Sequence, residues 1–144
     1  MVIPSGPLAA MAILKGEGEL RGTVKFYRVP CATLVAAEVT GLPGSESGFY
    51  GLHIHEGKEC TGKDYSDTLG HFDTSGQMHP RHSGDLPPLL DAGGRGFLAV
   101  ETDRFLVEEI VGHTVVLHEG ADDFTSQPAG NAGRKIACGV VKWI

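Results

Sequence analysis

The sequence predicts an all-β protein, a Greek-key β-barrel or sandwich of about eight antiparallel strands with two long functional loops. Apolar and polar residues alternate along several short segments, as they do in half-buried strands. The 21 glycines are spread along the chain as turns, which favours many short strands over long helices. With 144 residues, the chain is expected to form a single domain over 1–144, because a second domain would be too small to hold its own core.

The alternating segments place the predicted strands. The first two cover 18–29 and 32–42, on either side of a short turn at Pro30 and Cys31. Further strands are predicted over 48–57, 94–102, 112–120 and 135–144. The segment 103–112 has room for one helical turn. The C-terminal VVKWI fits either an edge strand or a dimer contact, and a homodimer is therefore one expected assembly.

Charge and hydropathy exclude several classes of partner. Eighteen acidic side chains against 12 basic ones give a formal net charge of −6, which argues against nucleic acid or anionic membrane as partners. No apolar run approaches the roughly 18 residues that a membrane-spanning helix needs. The apolar N-terminal patch has no Lys or Arg ahead of it, unlike a secretory signal. We expect a cytoplasmic protein, or an exported one whose signal has been removed.

The residues suited to metal binding are histidines rather than cysteines. Cys31, Cys60 and Cys138 form no CxxC pair, which argues against a thiolate zinc site. His53 and His55 lie two residues apart in a strand-like run, so their rings share one face about 6.5–7 Å apart. Imidazole suits copper and zinc. Alone, however, an HxH motif is more often a hydrogen-bonded surface pair.

The segment 58–91 is the first long loop, and it has no sustained period. A structureless loop of this length is unusual in a compact domain unless something orders it. Its residues of metal-ligand type are His71, Asp73, His79, His82 and Asp85. The three histidines and Asp85 offer three nitrogens and one carboxylate oxygen, which complete a closed tetrahedral zinc shell. Zinc binding would offset the entropy lost in ordering the loop.

A further histidine ends the predicted strand VVLH. This residue, His118, carries little information by itself. His113 lies five residues earlier, so the two side chains project to opposite faces of a regular strand. At most one of them is therefore expected to join the same cluster as His53 and His55.

Four segments resemble, in order, the copper,zinc superoxide dismutases, and the match covers nearly the whole chain. GLHIHEG resembles the family's strand with the first two copper ligands. GHFDT, His79 and HSGDLPPL resemble its zinc loop, in the shortened form of bacterial members. VVLHEGADD resembles the strand with the last copper ligand, and GNAGRKIACGVV resembles the C-terminal signature. The resemblance implies the barrel fold and the dismutation of superoxide to dioxygen and hydrogen peroxide.

The resemblance also implies two metal cofactors, copper and zinc, joined by one histidine. The implied ligands are His53, His55, His71 and His118 for copper, and His71, His79, His82 and Asp85 for zinc. His71 would bridge the metals as an imidazolate, take up a proton when copper is reduced and later return it. Asp122 matches the family's carboxylate that links a copper histidine to a zinc histidine and fixes both rings.

The family's intrasubunit disulfide matches Cys60 and Cys138. Such a bond would tie the metal loop to the last strand, and the loop-entropy relation assigns it about 4–5 kcal/mol. The alternative is a pair of buried thiols, which a reducing cytosol would favour. Cys31 is then a free cysteine with no assigned role.

The chain departs from the family beside the copper. The family has an arginine three residues before the second disulfide cysteine, where it guides the superoxide anion. Here Lys135 stands at that position and Arg134 one step earlier. Strand neighbours point to opposite faces, so either Lys135 serves as a less directional cation or a bulge brings in Arg134. The first interpretation needs no insertion and is favoured.

The second long loop, 121–133, contains no Lys or Arg, and many family members use this loop to steer the anion. Long-range attraction of superoxide should therefore be weaker here. This departure and Lys135 motivate an alternative, a non-enzymatic copper- and zinc-binding protein with the same fold and little turnover. The complete set of copper ligands favours the enzyme. A module in which zinc only staples a loop would leave His53, His55 and His118 unused.

Overall fold

The computed structural model describes residues 7–144 and confirms the predicted all-β fold. Its strands are β1 (Leu8–Gly16), β2 (Arg21–Val29), β3 (Ala32–Thr40), β4 (Phe49–Tyr50), β5 (Leu52–His55), β6 (Leu89–Leu90), β7 (Arg95–Thr102), β8 (Thr114–His118) and β9 (Lys135–Trp143). One helical turn, α1, spans Val107–Ile110, and a short 3-10 turn spans Lys63–Thr68. Within 7–144, no helix is long and apolar enough to cross a bilayer.

Seven of the strands form one curled antiparallel sheet in the order β5-β8-β9-β1-β2-β3-β7, and β4 pairs with β6 in a second, two-stranded sheet. β1, β2 and β3 are joined by short turns and lie side by side. β3 pairs with β7, β1 with β9, and β5 with β8. These pairs of strands distant in sequence require crossover connections, as Greek-key proteins have.

The inward face of the sheet carries the hydrophobic core. On β2, Val24 and Phe26 are fully buried while their neighbours are at least partly exposed, which is the alternation expected of a strand with one solvated face. The Phe26 ring meets Phe105 edge to face, with 6.4 Å between the ring centroids. Val107 and Ile110 of α1 complete the core. The core thus gives the strands a rigid frame for the loops outside it.

Two assignments at the ends of the chain differ from the prediction. β1 is absent from the predicted strands, because LAAMAILKG is a continuous apolar run with no polar alternation. Its inward residues are small or buried (Ala10, Ala12), and its outward residues are also apolar (Ile13). The C-terminal segment VVKWI lies mostly in β9, which sits between β8 and β1. The edge-strand interpretation of this segment is therefore wrong.

The long loop between β5 and β6 docks on the open edge of β5. The amide of Ile54 donates to Gly84 O at 2.9 Å, and Ile54 O accepts from Phe72 N at 2.8 Å. A side chain at Gly84 would collide with the carbonyl oxygen of Ile54, so this close approach requires glycine. Short bridges join His53 to Asp85 and His55 to His71. The loop backbone thereby brings its metal-type residues next to β5.

A disulfide joins this loop to the sheet. Cys60 and Cys138 are 78 residues apart in sequence and form the bond that the family resemblance implies, with 5.9 Å between their Cα atoms. Cys138 lies in β9. Cys31 lies outside the disulfide, exposed in the turn between β2 and β3. The bond fixes the start of the loop to the last strand.

Candidate metal centre

The centre is built on β5, whose alternation presents two histidines on one face. Leu52 and Ile54 point into the core. His53 and His55 consequently face the other side, and the covering loops leave them 0% and 2% exposed. Their ring centroids are 6.2 Å apart. A rigid strand therefore presents two imidazoles side by side.

Backbone carbonyls fix the rings of His55 and His118. Nδ1–H of His55 donates to Leu69 O at 2.9 Å, and Nδ1–H of His118 donates to Gly133 O at 3.1 Å. A carbonyl only accepts, so each ring carries its proton on Nδ1 and a lone pair on Nε2. These two Nε2 atoms face each other at 3.2 Å. Two lone pairs at this distance repel each other unless a cation lies between them.

Asp122 holds a histidine from each side of the centre. Its Oδ2 accepts from His53 Nε2 and its Oδ1 accepts from His79 Nε2, both at 2.7 Å. Nδ1 of each ring is left buried and without a hydrogen-bond partner. Gly130 packs against the bond between Asp122 and His79, at φ +73°, where any side chain would collide with both. Residue 130 must therefore be glycine for this carboxylate to join the two rings.

His71 and Asp85 lie at the middle of the centre. Nδ1 of His71 is 2.7 Å from Asp85 Oδ1, while Nε2 is buried without a partner. The other oxygen, Asp85 Oδ2, has His79 Nδ1 at 3.2 Å and His82 Nδ1 at 3.3 Å. Neither of these contacts is a hydrogen bond. A carboxylate surrounded by imidazole nitrogens in this way is the donor set of a closed zinc site.

Two groups of side chains each bring four ligand atoms within 4.8 Å of one another. The first group is His53, His55, His71 and His118, and the second is His53, His71, His79 and Asp85. His71 belongs to both. The second group contains His53 where the family resemblance implies His82, although His82 Nδ1 also reaches Asp85. Four buried nitrogens without partners (His53 Nδ1, His71 Nε2, His79 Nδ1, His82 Nδ1) fit two adjacent cations.

Burial sets the charge of the histidines. Removal from water lowers the pKa of His53 and, more strongly, the pKa of His55. Burial is also the main reason that the pKa of His118 is lowered to about 3. These rings are neutral near pH 7, which is the form that binds metals.

The carboxylates respond in the opposite direction. Burial by itself would raise the pKa of Asp122, but hydrogen bonds from His53 and His79 outweigh it and hold that pKa below its ordinary value. In Asp85 burial likewise raises the pKa, but the hydrogen bond from His71 and the surrounding histidines together outweigh it and lower that pKa. Asp85 and Asp122 are therefore ionised near pH 7, and this negative charge attracts cations.

The two candidate cations for anion guidance have different surroundings. Lys135 is half-buried, and its ammonium donates to Thr68 Oγ1 at 2.7 Å and to Leu69 O at 3.0 Å. Leu69 O is the same oxygen that accepts from His55. Arg134 lies on the surface, 3.4 Å from Glu17 and 3.5 Å from Glu119. Lys135 thus shares a carbonyl acceptor with His55, a histidine of the first group, whereas Arg134 is paired with glutamates.

A cavity of about 260 Å³ opens beside His118. The loop between β8 and β9 forms its walls, with Gln127, Pro128 and Asn131 among the lining residues, and none of the lining residues is Lys or Arg. A larger groove, of about 810 Å³, runs across β1, β2, β3 and β7 instead, far from the histidines in the sheet order. An anion that enters the cavity beside His118 would therefore meet no basic side chain among its lining residues.

Asp73 and His113, like His82, lie outside both groups. Asp73 accepts hydrogen bonds from Ser75 and Ser83 and thereby closes its own turn. His113 donates from Nδ1 to Glu56 O at 2.7 Å. The carbonyls of Leu69 and Gly133, by contrast, support the centre without being predicted, because a backbone acceptor leaves no sequence signal.

Comparison with known proteins agrees with this geometry. A family profile described as copper/zinc superoxide dismutase matches residues 20–141. The copper chaperone for superoxide dismutase of Rattus norvegicus is 34% identical over 146 residues, covering 92% of this chain and 52% of the relative. The superoxide dismutase [Cu-Zn] of Deinococcus radiodurans is 34% identical over 159 residues, covering 96% and 86%.

A crystal structure of the clock protein EA4 superposes with a TM-score of 0.84 and 32% identity, covering 100% of this chain and 99% of the other. The chain spans about half the length of the copper chaperones that it matches. The family's metals, copper and zinc, agree with the two groups of nitrogen-rich ligands. Because the profile covers most of the sequence and these relatives exceed 30% identity, the chain belongs to the copper/zinc superoxide dismutase family.

Proposed function

We propose that the protein dismutates superoxide to dioxygen and hydrogen peroxide at a copper ion joined through His71 to a zinc ion. The observation that carries the proposal is the pair of unprotonated Nε2 atoms of His55 and His118, which face each other at 3.2 Å inside the protein. Neutral imidazoles in this arrangement are suited to a transition metal such as Cu(II).

The proposed ligands follow from the nitrogen that each ring leaves free, except that the bridging assignment of His71 also uses Nδ1, which lies 2.7 Å from Asp85 Oδ1. Copper is assigned to His53 Nδ1, His55 Nε2, His71 Nε2 and His118 Nε2, and zinc to His71 Nδ1, His79 Nδ1, His82 Nδ1 and Asp85. Bound copper supplies one-electron chemistry, and bound zinc, which has no redox chemistry, holds the second nitrogen of His71. The donor set fits both ions, since imidazole nitrogens suit copper and zinc and a carboxylate oxygen also suits zinc.

The protein's own residues orient the ligands and exclude water. Leu69 O, Gly133 O and Asp122 set the proton position and the angle of the rings that they contact. Such outer partners typically account for a 10–100-fold effect on metal affinity, as an order of magnitude. The side chains of His53 and Asp122 are 0% and 1% exposed, so bulk water does not compete for these positions.

His71 also has a proposed role in proton transfer. Consumption of two superoxide ions requires two protons for each hydrogen peroxide released. Nε2 of His71 is buried, lacks a hydrogen-bond partner and lies between the two ligand groups. We assign to this atom the uptake and return of one proton in each cycle. General acid–base transfer of this kind requires a group within hydrogen-bonding reach of the reacting atoms.

Lys135 is the proposed anion-guiding cation. Its contact with Leu69 O places its positive charge near His55, whereas Arg134 is paired with Glu17 and Glu119 on the surface. The three ammonium N–H groups already have acceptors in Thr68 Oγ1, Leu69 O and, at 3.5 Å, Tyr65 O. Lys135 should therefore attract the anion mainly as a charge, without the paired donors of a guanidinium.

A second candidate function is metal binding without turnover. It is favoured by the matches to copper chaperones for superoxide dismutase, which cover 92% of this chain, and by the cavity lining without Lys or Arg. Against it stands the complete set of four buried ligands in the first group. The two functions predict the same metal content and differ only in the catalysed decay of superoxide.

A homodimer is the proposed assembly. Ile13, Trp143 and Ile144 are 65%, 50% and 70% exposed, and they line one groove next to the Cys60–Cys138 disulfide. Burying such a patch against a second copy would remove apolar surface from water. Sedimentation of the wild-type chain and of Trp143→Glu measures the assembly, and a wild-type monomer at micromolar concentration would exclude it.

The test of the proposed activity is reconstitution followed by kinetics. The protein is loaded with copper and zinc, its metal content is measured, and superoxide decay is followed by stopped-flow spectroscopy, with zinc-only protein as the control. We expect copper-dependent decay well above that produced by the zinc-only protein. A fully loaded protein with no catalysed decay would leave metal binding as the function.

A further inference from the structure

The carboxamide of Gln127 contacts the backbone of a proposed zinc ligand at two points. Oε1 of Gln127 accepts from the amide of His79 at 3.0 Å, and Nε2 donates to the carbonyl of the same residue at 2.7 Å. Nε2 also donates to Thr125 O at 3.2 Å. A primary amide is suited to this pairing because it offers one donor and one acceptor side by side. The side chain therefore pairs with His79 as a neighbouring strand would.

The same loop also fixes the ring of His79. Asp122, five residues before Gln127, accepts from His79 Nε2 at 2.7 Å. The remaining nitrogen, Nδ1, is buried, has no hydrogen-bond partner and lies 3.2 Å from Asp85 Oδ2. His79 is thus held at its amide, its carbonyl and its ring by residues of the segment between β8 and β9. All three contacts orient Nδ1 towards the proposed zinc position.

Gln127 also lines the cavity beside His118. Its segment reaches the other ligand group again at Gly133, whose carbonyl accepts from His118 Nδ1 at 3.1 Å. One loop therefore contacts both a proposed zinc ligand and a proposed copper ligand. Any event that fixes His79 should also restrict the loop that forms the opening beside His118.

We infer that Gln127 is a positioning residue that couples zinc binding at His79 to the order of the loop over the copper opening. The inference rests on the proposed zinc site and adds a coupling that the ligand assignment does not contain. Coupling between two sites is reciprocal. Zinc should therefore order the segment 121–134, and the Gln127 contacts should tighten zinc binding.

The test uses the full chain without copper, so no activity is needed. Gln127→Met keeps the length of the side chain and removes all three of its hydrogen bonds, while Gln127→Glu keeps an acceptor but places a carboxylate next to His79 O. Zinc affinity is measured by competition with a chelating dye. We expect the zinc Kd of Gln127→Met to rise about tenfold, the lower end of the effect of outer partners on metal affinity.

Hydrogen exchange of the segment 121–134 supplies the second measurement. In the wild-type protein, adding zinc should slow exchange in this segment, and in Gln127→Met most of that slowing should be lost. Gln77→Met is the matched control, because Gln77 is an exposed glutamine of the zinc loop whose contact with Asp73 comes from its backbone. The control should behave as the wild type does in both measurements.

Melting of the metal-free proteins separates positioning from a purely structural role. Gln127→Met and wild type should melt at the same temperature without zinc and differ once zinc is added. A variant that melts lower to the same extent with and without zinc would overturn the inference. The inference would also be overturned if Gln127→Met bound zinc with the wild-type Kd and showed wild-type hydrogen exchange in the segment 121–134. The proposed zinc site would be unaffected by that result. A wild-type protein that binds no zinc would instead refute the zinc site and the coupling together.

Discussion

The strands β1–β3 and the loop between β5 and β6 are held in place by different forces. The inward residues of the strands, such as Leu14, Phe26 and Val35, are fully buried and apolar. In the loop, by contrast, buried residues such as His71, His79 and Asp85 are polar and converge on one point. The strands are therefore stabilised by apolar burial and by their ladder hydrogen bonds, whereas in the loop a bound cation would satisfy the buried nitrogens.

The largest expected effect separates the strands from the metal centre. Phe26→Ala removes a fully buried ring on β2, and we expect the free energy of unfolding to fall by about 3–5 kcal/mol. Zinc affinity per folded molecule should remain unchanged, because Phe26 contacts the core and not the centre. Denaturant unfolding and a dye competition for zinc measure the two quantities. A variant that loses zinc affinity while remaining folded would contradict the separation.

Removal of zinc tests the other region. At a free zinc concentration 100 times the zinc Kd, binding stabilises the segment that zinc orders by about 2.7 kcal/mol. This free energy corresponds to a factor of about 100 in the equilibrium constant for opening that segment. Chelation should therefore speed hydrogen exchange in the segment 58–88 by up to this factor and leave β1–β3 unchanged. Equal protection of that segment with and without zinc would show that apolar contacts order the loop.

A smaller effect distinguishes two carboxylates of the same loop. Asp85→Ala removes the carboxylate among the proposed zinc ligands, so the rise in melting temperature that zinc produces should largely disappear. Asp73→Ala is the control, because Asp73 closes a turn with Ser75 and Ser83 and lies outside both ligand groups. It should lower the melting temperature equally with and without zinc, as calorimetry would show. The reverse ranking would remove Asp85 from the zinc site.

The smallest effect concerns the cation beside the copper ligands. Lys135→Ala should lower kcat/KM for superoxide about tenfold, the low end of electrostatic steering, with metal content unchanged. Arg134→Ala should do little, because Arg134 is paired with glutamates. The effect of Lys135→Ala should shrink as salt rises, since screening acts over about 10 Å at 0.1 M.

Replacement of the lysine by arginine sharpens the same comparison. Lys135→Arg should raise kcat/KM above the wild-type value, because a guanidinium offers paired donors to a diatomic anion. Stopped-flow kinetics on metal-matched samples measures the change. If Arg134→Ala proves to be the damaging substitution, Arg134 and not Lys135 is the guiding cation.

The two regions also differ in how far the sequence predicts them. β2 follows from polar alternation, which a half-buried strand requires, whereas β3 is buried at every position from Thr33 to Ala37 and alternates only at its end. β1 does not follow from polar alternation, because its outward Ile13 is as apolar as its inward Leu14. The two-residue strands β4 and β6 are too short to leave a period at all.

For the centre, residue type and spacing are sufficient to indicate the histidines and Asp85. Ligand-type residues are rare and chemically distinct, so a cluster of them stands out in a loop. The supporting contacts do not stand out. The carbonyls of Leu69 and Gly133 have no side-chain signature, and the pairing of Gln127 with His79 depends on how two distant loops approach each other.

The most direct test of the proposed activity is the rate of superoxide decay catalysed by copper- and zinc-loaded His118→Ala beside the wild type. His118 supplies one of the two facing Nε2 atoms. Its ring contacts His55 and Gly133 O, neither of which belongs to the proposed zinc ligands. We predict rapid copper-dependent decay for the wild type, and a variant that retains zinc but has lost catalysis. Catalysis at the wild-type rate by His118→Ala, or none by the fully loaded wild type, would contradict dismutation at this copper site.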